Sequence, residues 1–192
     1  RARVLAEVAD VLDCIRDMAT KDKWESREVL ATEHKFEVPI GDHTLSGFVD
    51  LLDIKKGKSG KPILRIIDHK TNASAPNLQN LKLNVQFSAY SWASRQPEFW
   101  TGNGTSDIPG LPNGDYLWDL YGETIERRAI WYGLHQGKEY DAGPRDDADY
   151  LRMYRAMNEI AKAIKHNVFI PNISGDACTF CDFTEPCGIP IP

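Results

Sequence analysis

The stretch that most narrows what this chain can fold into is a pair of short apolar runs, each leading to a carboxylate. They are Gly47-Phe48-Val49-Asp50 and Leu64-Arg65-Ile66-Ile67-Asp68-His69-Lys70-Thr71. Val49, Ile66 and Ile67 have the β-branched character that suits a pleated, half-buried surface. The segment between the runs, Lys55-Lys56-Gly57-Lys58-Ser59-Gly60, has the composition of a turn. The pair therefore predicts a β-hairpin with a long connection. Residues two apart on a strand share a face, so Asp68 and Lys70 stand side by side while Ile67 and His69 face the other way, and the hairpin delivers Asp50 to the same place.

Two carboxylates and a lysine held together specify a chemistry. The carboxylates can hold Mg²⁺ or Mn²⁺, hard cations that take oxygen ligands and keep several waters. Such an ion acidifies a bound water and neutralises charge developing on a phosphodiester, and a nearby ammonium orients the water or stabilises the same charge. Lysine suits this role as a compact point charge. Asp-x-Lys by itself is also a common solvated ion pair, so the surrounding sequence decides its meaning.

Two further elements follow in order, Gln86-Phe87-Ser88-Ala89-Tyr90 and Cys178-x2-Cys181-x5-Cys187. With them, the chain from Glu33 onward resembles the PD-(D/E)xK nuclease superfamily, in particular its RecB-like and Cas4-like exonuclease branch. The resemblance implies an α/β fold with a restriction-endonuclease-like core, a mixed central β-sheet flanked by helices. It implies that Asp50 and Asp68 are metal ligands, that the backbone carbonyl of His69 is a further metal contact, and that Lys70 is the catalytic lysine. Glu33 resembles the acid that often opens the Asp50 strand and is a secondary metal candidate. Gln86 and Tyr90 match the family's Gln-x-x-x-Tyr element. Four residues apart, they share one helix face, where an amide and a phenol position the lysine or the DNA backbone; the alternative is that they cap the core of an amphipathic helix. The activity implied is that of a metal-dependent deoxyribonuclease, an exonuclease acting on DNA ends or single strands.

Cys178, Cys181 and Cys187 lie within ten residues of one another. In an intracellular protein, thiols this close indicate a metal site before a disulfide. Three thiolates and a fourth ligand suit either zinc or an iron-sulfur cluster. Spacing slightly favours Zn²⁺, and the family resemblance favours [4Fe-4S] with a structural role, pinning a cysteine-rich tail over residues 168–192 to the nuclease core. Three reduced thiols without metal remain the plainer alternative. Cys14 is the only other cysteine in the chain; it is a candidate fourth ligand or a half-buried structural thiol. The family usually places a histidine ligand and a first cysteine well upstream. This chain begins at Arg1 without an initiator Met, so the native N-terminus is expected to be missing.

At 192 residues with ordinary apolar and charged content, the chain is expected to form a single nuclease domain able to bury a sizeable core. No apolar run approaches a membrane span and no signal peptide is visible, so a cytoplasmic protein, bacterial or phage-encoded, with no membrane contact is the expectation. The net charge of −5 argues against DNA binding by general electrostatics, because phosphate contacts come from Lys and Arg. The cations are nevertheless grouped: Lys55, Lys56, Lys58 and Lys61 on the hairpin loop, Arg127 and Arg128 before a later strand, and Arg152, Arg155, Lys162 and Lys165 on a late helix. Each group is equally readable as a solvated face.

The remaining elements follow from periodicity. Residues 2–19 carry a helical apolar stripe. Residues 33–40 alternate as a half-buried strand with His34, Phe36, Val38 and Ile40 inward. One helix is expected over residues 78–94, an irregular stretch over 97–119, a strand over 128–134, and a helix from Asp146 or Asp147 to about Asn167. On that last helix Tyr150, Met153, Tyr154, Met157, Ile160, Ala161 and Ile164 form the expected buried side. Two rival functions stay open: a non-catalytic DNA-binding or scaffold domain stabilised by the cluster, and a zinc-stabilised interaction module of a recombination or CRISPR-adaptation complex. A helicase is a further partner the resemblance implies.

Overall fold

The computed structural model describes residues 12, 27–72, 74–101, 118–119, 124–168, 181–182 and 187. The expected helix over residues 2–19, Cys14, Cys178 and most of the stretch over 97–119 lie outside these residues.

Strands β1 (Arg27–Ile40), β2 (His43–Lys56) and β3 (Pro62–Lys70) pair antiparallel in turn. Strand β4 (Glu126–Gly133) lies parallel to β3, and β5 (Lys138–Asp141) returns antiparallel to β4, giving a five-stranded sheet in the order β1-β2-β3-β4-β5. A parallel pair needs a crossover. Here the crossover carries helices α1 (Leu78–Lys82), α2 (Val85–Ala93) and α3 (Pro97–Thr101), with α2 packed on β4 and α3 on β1. Helix α4 (Asp147–Lys165) follows β5. The mixed sheet flanked by helices matches the expected α/β class. The chain divides into two compact units, Arg1–Met153, which holds the sheet, and Tyr154–Pro192. No helix among the described residues is long and apolar enough to cross a membrane.

The predicted hairpin is β2 and β3, closed over residues 57–61, where Gly57 N–H donates to the Lys61 carbonyl at 2.8 Å. On one face of the sheet Leu52, Ile54, Leu64, Ile66, Ala129 and Trp131 join the main core with Phe87, Phe99 and Trp100 of the helices; on the other, Leu51, Ile67, Ile130 and Tyr132 form a smaller cluster. Strict alternation fails at one rung. Before Asp50 the core residue of β2 is Val49, and after it Leu52 and Ile54. Strand β1 changes face at the same level, from Ala31 to Phe36 and Val38. Thr32↔Leu51 and His34↔Val49 pair, which sets Glu33 across from Asp50, and Glu33 has the left-handed φ of 49°. A non-glycine residue there stores on the order of 1 kcal/mol or more of strain. The ribbon thus turns over at the rung that carries a site carboxylate. Strand β1 also starts before the expected residue 33, because a register shift between Val29 and Ala31 buries Leu30 and Ala31 in succession and masks the period of two.

The single helix expected over residues 78–94 is two helices. Asn77 caps α1 by accepting from the Gln79 and Asn80 N–H groups, and Asn84 caps α2 by accepting from Phe87 N–H at 3.1 Å. An Asn side chain satisfies free N–H groups at a helix start better than it serves an interior, so Asn84 divides the segment. The stretch after residue 97 also begins as structure: Pro97 opens α3, where its missing N–H is not needed, and Phe99 and Trp100 are fully buried.

Two further expectations are corrected. Along α4 only Met153 is buried, whereas Tyr154, Ile160 and Ile164 are exposed. The stripe beyond Met153 belongs to the second unit, whose described residues leave it open. Arg127, counted from sequence among the cations available to DNA, is 3% exposed. Its Nε donates to Ser94 Oγ at 2.8 Å and its Nη2 to the Ser94 carbonyl at 3.0 Å, so it closes the C-terminus of α2, where a cation is favoured. Burial, and then the charge of Arg95, pulls its pKa down to about 10.

Candidate active site

The hairpin register decides where the carboxylates meet. The last β2–β3 rung is Leu51↔Ile67, and the next residues in each strand are Asp50 and Asp68. His69 N–H donates to Asp50 Oδ2 at 2.6 Å, and the His69 ring Nδ1 lies 3.7 Å from the same oxygen. The Lys70 ammonium lies 2.7 Å from Asp68 Oδ2, as the shared face of residues 68 and 70 predicts. Asp68 is buried, while the Asp50 and Lys70 side chains are about one third open. The site therefore has a desolvated floor and an accessible mouth.

Electrostatics at this floor are unfavourable to a bare anion. Burial raises the Asp68 pKa; the hydrogen bond and charge of Lys70 oppose that, the charge of Asp50 adds to it, and the balance stays raised. One ammonium does not compensate two close carboxylates in a partly dry site. Among the described residues, Asp68 Oδ2 meets only Lys70. Hard oxygen donors with excess negative charge fit Mg²⁺ or Mn²⁺, so the residues present suit a divalent cation. Asp50 and Asp68 would hold it, with the His69 backbone alongside.

Helix α2 brings Gln86 and Tyr90 to this place. Gln86 Nε2 donates to Tyr90 OH at 2.9 Å. Tyr90 is 8% exposed and meets Phe36 edge-on at 5.9 Å between ring centres. Burial first, then the charges of Asp68 and Asp50, raise its pKa against the Gln86 bond. Neither Gln86 nor Tyr90 hydrogen-bonds Lys70 among the described residues. Gly47 makes the approach possible: a Cβ there would stand 2.9 Å from the Phe36 ring and 3.7 Å from the Tyr90 ring.

Glu33 is exposed, across the strand from Asp50. Among the described residues no group of three or more His, Cys, Asp or Glu side chains gathers to hold a metal. Cys181 and Cys187 are exposed, and Cys14 and Cys178 lie outside the described residues. Sequence reasoning missed the rung that supports the site. Asp53 pairs in register with Arg65, which grips it through Nε at 2.6 Å and Nη2 at 2.5 Å and reaches Glu139 of β5 at 3.0 Å. Arg27 joins both acids. The available signal was a charged residue inside each apolar run, Leu51-Leu52-Asp53-Ile54 and Leu64-Arg65-Ile66, because charges inside strands must be paired when buried.

A family model of the PD-(D/E)XK nuclease superfamily matches residues 3–188. The crystal structure of SSO0001 aligns at 16% identity over 92% of this chain and 67% of that one, with a TM-score of 0.40. No curated protein matches the chain.

Proposed function

The chain belongs to the PD-(D/E)XK nuclease superfamily, and from that membership we propose that it is a Mg²⁺- or Mn²⁺-dependent exonuclease that hydrolyses DNA phosphodiesters at ends or in single strands. The observation that carries the reading is the Asp50–Asp68 pair with the Lys70 ammonium 2.7 Å from Asp68. A divalent cation, when bound, supplies an acidified water and neutralises charge on the scissile phosphate. The chain's own residues do the rest. Asp68 and Asp50 present oxygens on one rung, and the His69 N–H fixes the rotamer of Asp50. Lys70, held by Asp68, presents a positive charge where the phosphate becomes more negative. Tyr90 and Gln86 form a polar wall that positions the strand's backbone. End-directed cleavage is supported by the RecB-like and Cas4-like resemblance, as are a helicase or recombination or CRISPR-adaptation partner.

The closely spaced thiols of Cys178, Cys181 and Cys187 support a [4Fe-4S] cluster, with Zn²⁺ the alternative; iron and sulfide content with broad visible absorbance identifies the first, and colourless zinc protein the second. The nuclease reading is tested by digesting end-labelled single-stranded and duplex DNA with Mn²⁺, Mg²⁺ or EDTA, using the chain and its Asp68→Ala and Lys70→Ala variants. Metal-dependent release of terminal nucleotides, lost in both variants, is expected. Activity unchanged in both variants would refute the site, and internal cutting of a circular strand would refute end-directed action.

A further inference from the structure

Beside the α1–α2 bend an open cleft of about 360 Å³ is lined by Gln79, Lys82 and Leu83 on one side and by Pro144, Arg145 and Arg152 on another. Arg145 is 6% exposed. Its Nη1 and Nη2 donate to the Lys82 and Leu81 carbonyls at 2.5 and 2.8 Å, which neutralises the C-terminal end of α1, while its buried Nε has no hydrogen-bond partner. Asp149 is the one acid in the lining, and it is already engaged. Its Oδ1 takes Arg152 at 2.8 Å and its Oδ2 takes Asp146 N–H at 3.3 Å. The lining thus carries three cations, Lys82, Arg145 and Arg152, against the single acid Asp149. Burial leaves the Arg145 pKa lowered, with Arg152 adding to that and Asp149, Tyr150 and Asp141 opposing it. Leu83, Ala142 and Pro144 supply apolar wall.

Resting on the nuclease reading, we propose that this cleft binds a backbone phosphate of the nucleic-acid strand away from the scissile position, with Lys82 and Arg145 on the phosphate and Leu83 and Pro144 against the attached nucleoside. Lys82 is four residues before Gln86, so their Cα atoms are at most about 15 Å apart. In a chain with net charge −5, such local sites provide grip that the overall field does not.

The test measures binding of a fluorescent single-stranded oligonucleotide in EDTA across a salt series, for the chain and its exposed-site variants Lys82→Ala and Lys82→Arg. Loss of one phosphate contact lowers the slope of log K against log salt by about 0.7, or about fivefold in affinity at 0.1 M salt. Lys82→Ala is expected to show both changes and Lys82→Arg neither. An unchanged slope in Lys82→Ala, with metal-dependent cleavage intact, overturns this inference and leaves the nuclease reading standing. Inorganic phosphate binding at residues 79–83 without any slope change would mean a free-anion site and also overturns it. No oligonucleotide binding by the unaltered chain overturns this inference, and the nuclease reading stands or falls on metal-dependent cleavage by the same protein.

Discussion

Replacing Asp53 by Ala should destabilise the protein severely and impair the site from a distance. Asp53 is fully buried and takes two donors of Arg65, itself 4% exposed. Burial lowers the Arg65 pKa, but the hydrogen bonds and charges of Asp53 and Glu139 outweigh it and leave it raised, so the guanidinium depends on its acids. Breaking a buried pair by deleting one partner costs about 3–5 kcal/mol. Glu139 still holds Arg65 Nη1 at 3.0 Å, which places Asp53→Ala near the lower end, about 3 kcal/mol. For a chain of this size that lowers Tm by about 6–12 °C, at 2–4 °C per kcal/mol. Replacing both partners by apolar residues, Asp53→Leu with Arg65→Met, should recover most of the loss. Asp53 and Arg65 sit three residues from Asp50 and Asp68 on the paired strands. Register errors invert every side chain, so activity well below the melting temperature should fall in Asp53→Ala and return in the double variant. Thermal and urea melts read the first quantity and end-label release the second. A loss below 1 kcal/mol, or a double variant no more stable than the single one, would refute the role assigned to this rung.

Asp68→Asn should be more stable than the unaltered chain at neutral pH. The raised pKa of Asp68 means that the folded state holds its proton above the unfolded value, so stability falls as pH rises through that window and the variant lacks the loss; Tm from pH 4 to 7 checks it. Glu139 has the opposite sign: burial raises its pKa, Arg65 and Arg27 outweigh burial and leave it lowered, so its contribution is present above about pH 4.3 and disappears in acid, and Glu139→Gln should remove that acid-dependent part of the melting curve. Mn²⁺ at a hundredfold its Kd should stabilise the unaltered chain by about 2.7 kcal/mol and Asp68→Asn far less; equal shifts would sink the metal assignment. Gly47→Ala should cost about 1–3 kcal/mol by overpacking against Phe36 and should reduce cleavage by displacing Tyr90, both read on the purified variant.

Local pattern alone determined much of this protein. Alternation predicted the inward residues of β1 from His34 to Ile40, the turn composition of residues 55–60 predicted the β2–β3 hairpin, and the i, i+2 relation put Lys70 beside Asp68. These are properties of a few consecutive residues, so short-range sterics and burial suffice. The caps of α1 and α2 are Asn77 and Asn84, and Asn84 reads as a helix interior until its side chain is seen to accept from Phe87 N–H. The rest depended on partners remote in sequence. Arg127 reads as a surface cation until Ser94 and the end of α2 close over it. Asp53 and Arg65 read as interruptions until pairing sets them opposite each other. The change of face at Glu33 and Asp50 involves both strands of the ribbon at one rung, and no window on a single strand contains that constraint. The sequence by itself thus names the reactive groups and their local spacing, whereas the tertiary structure decides which charges are buried, which remain exposed, and how two distant carboxylates come to share one place.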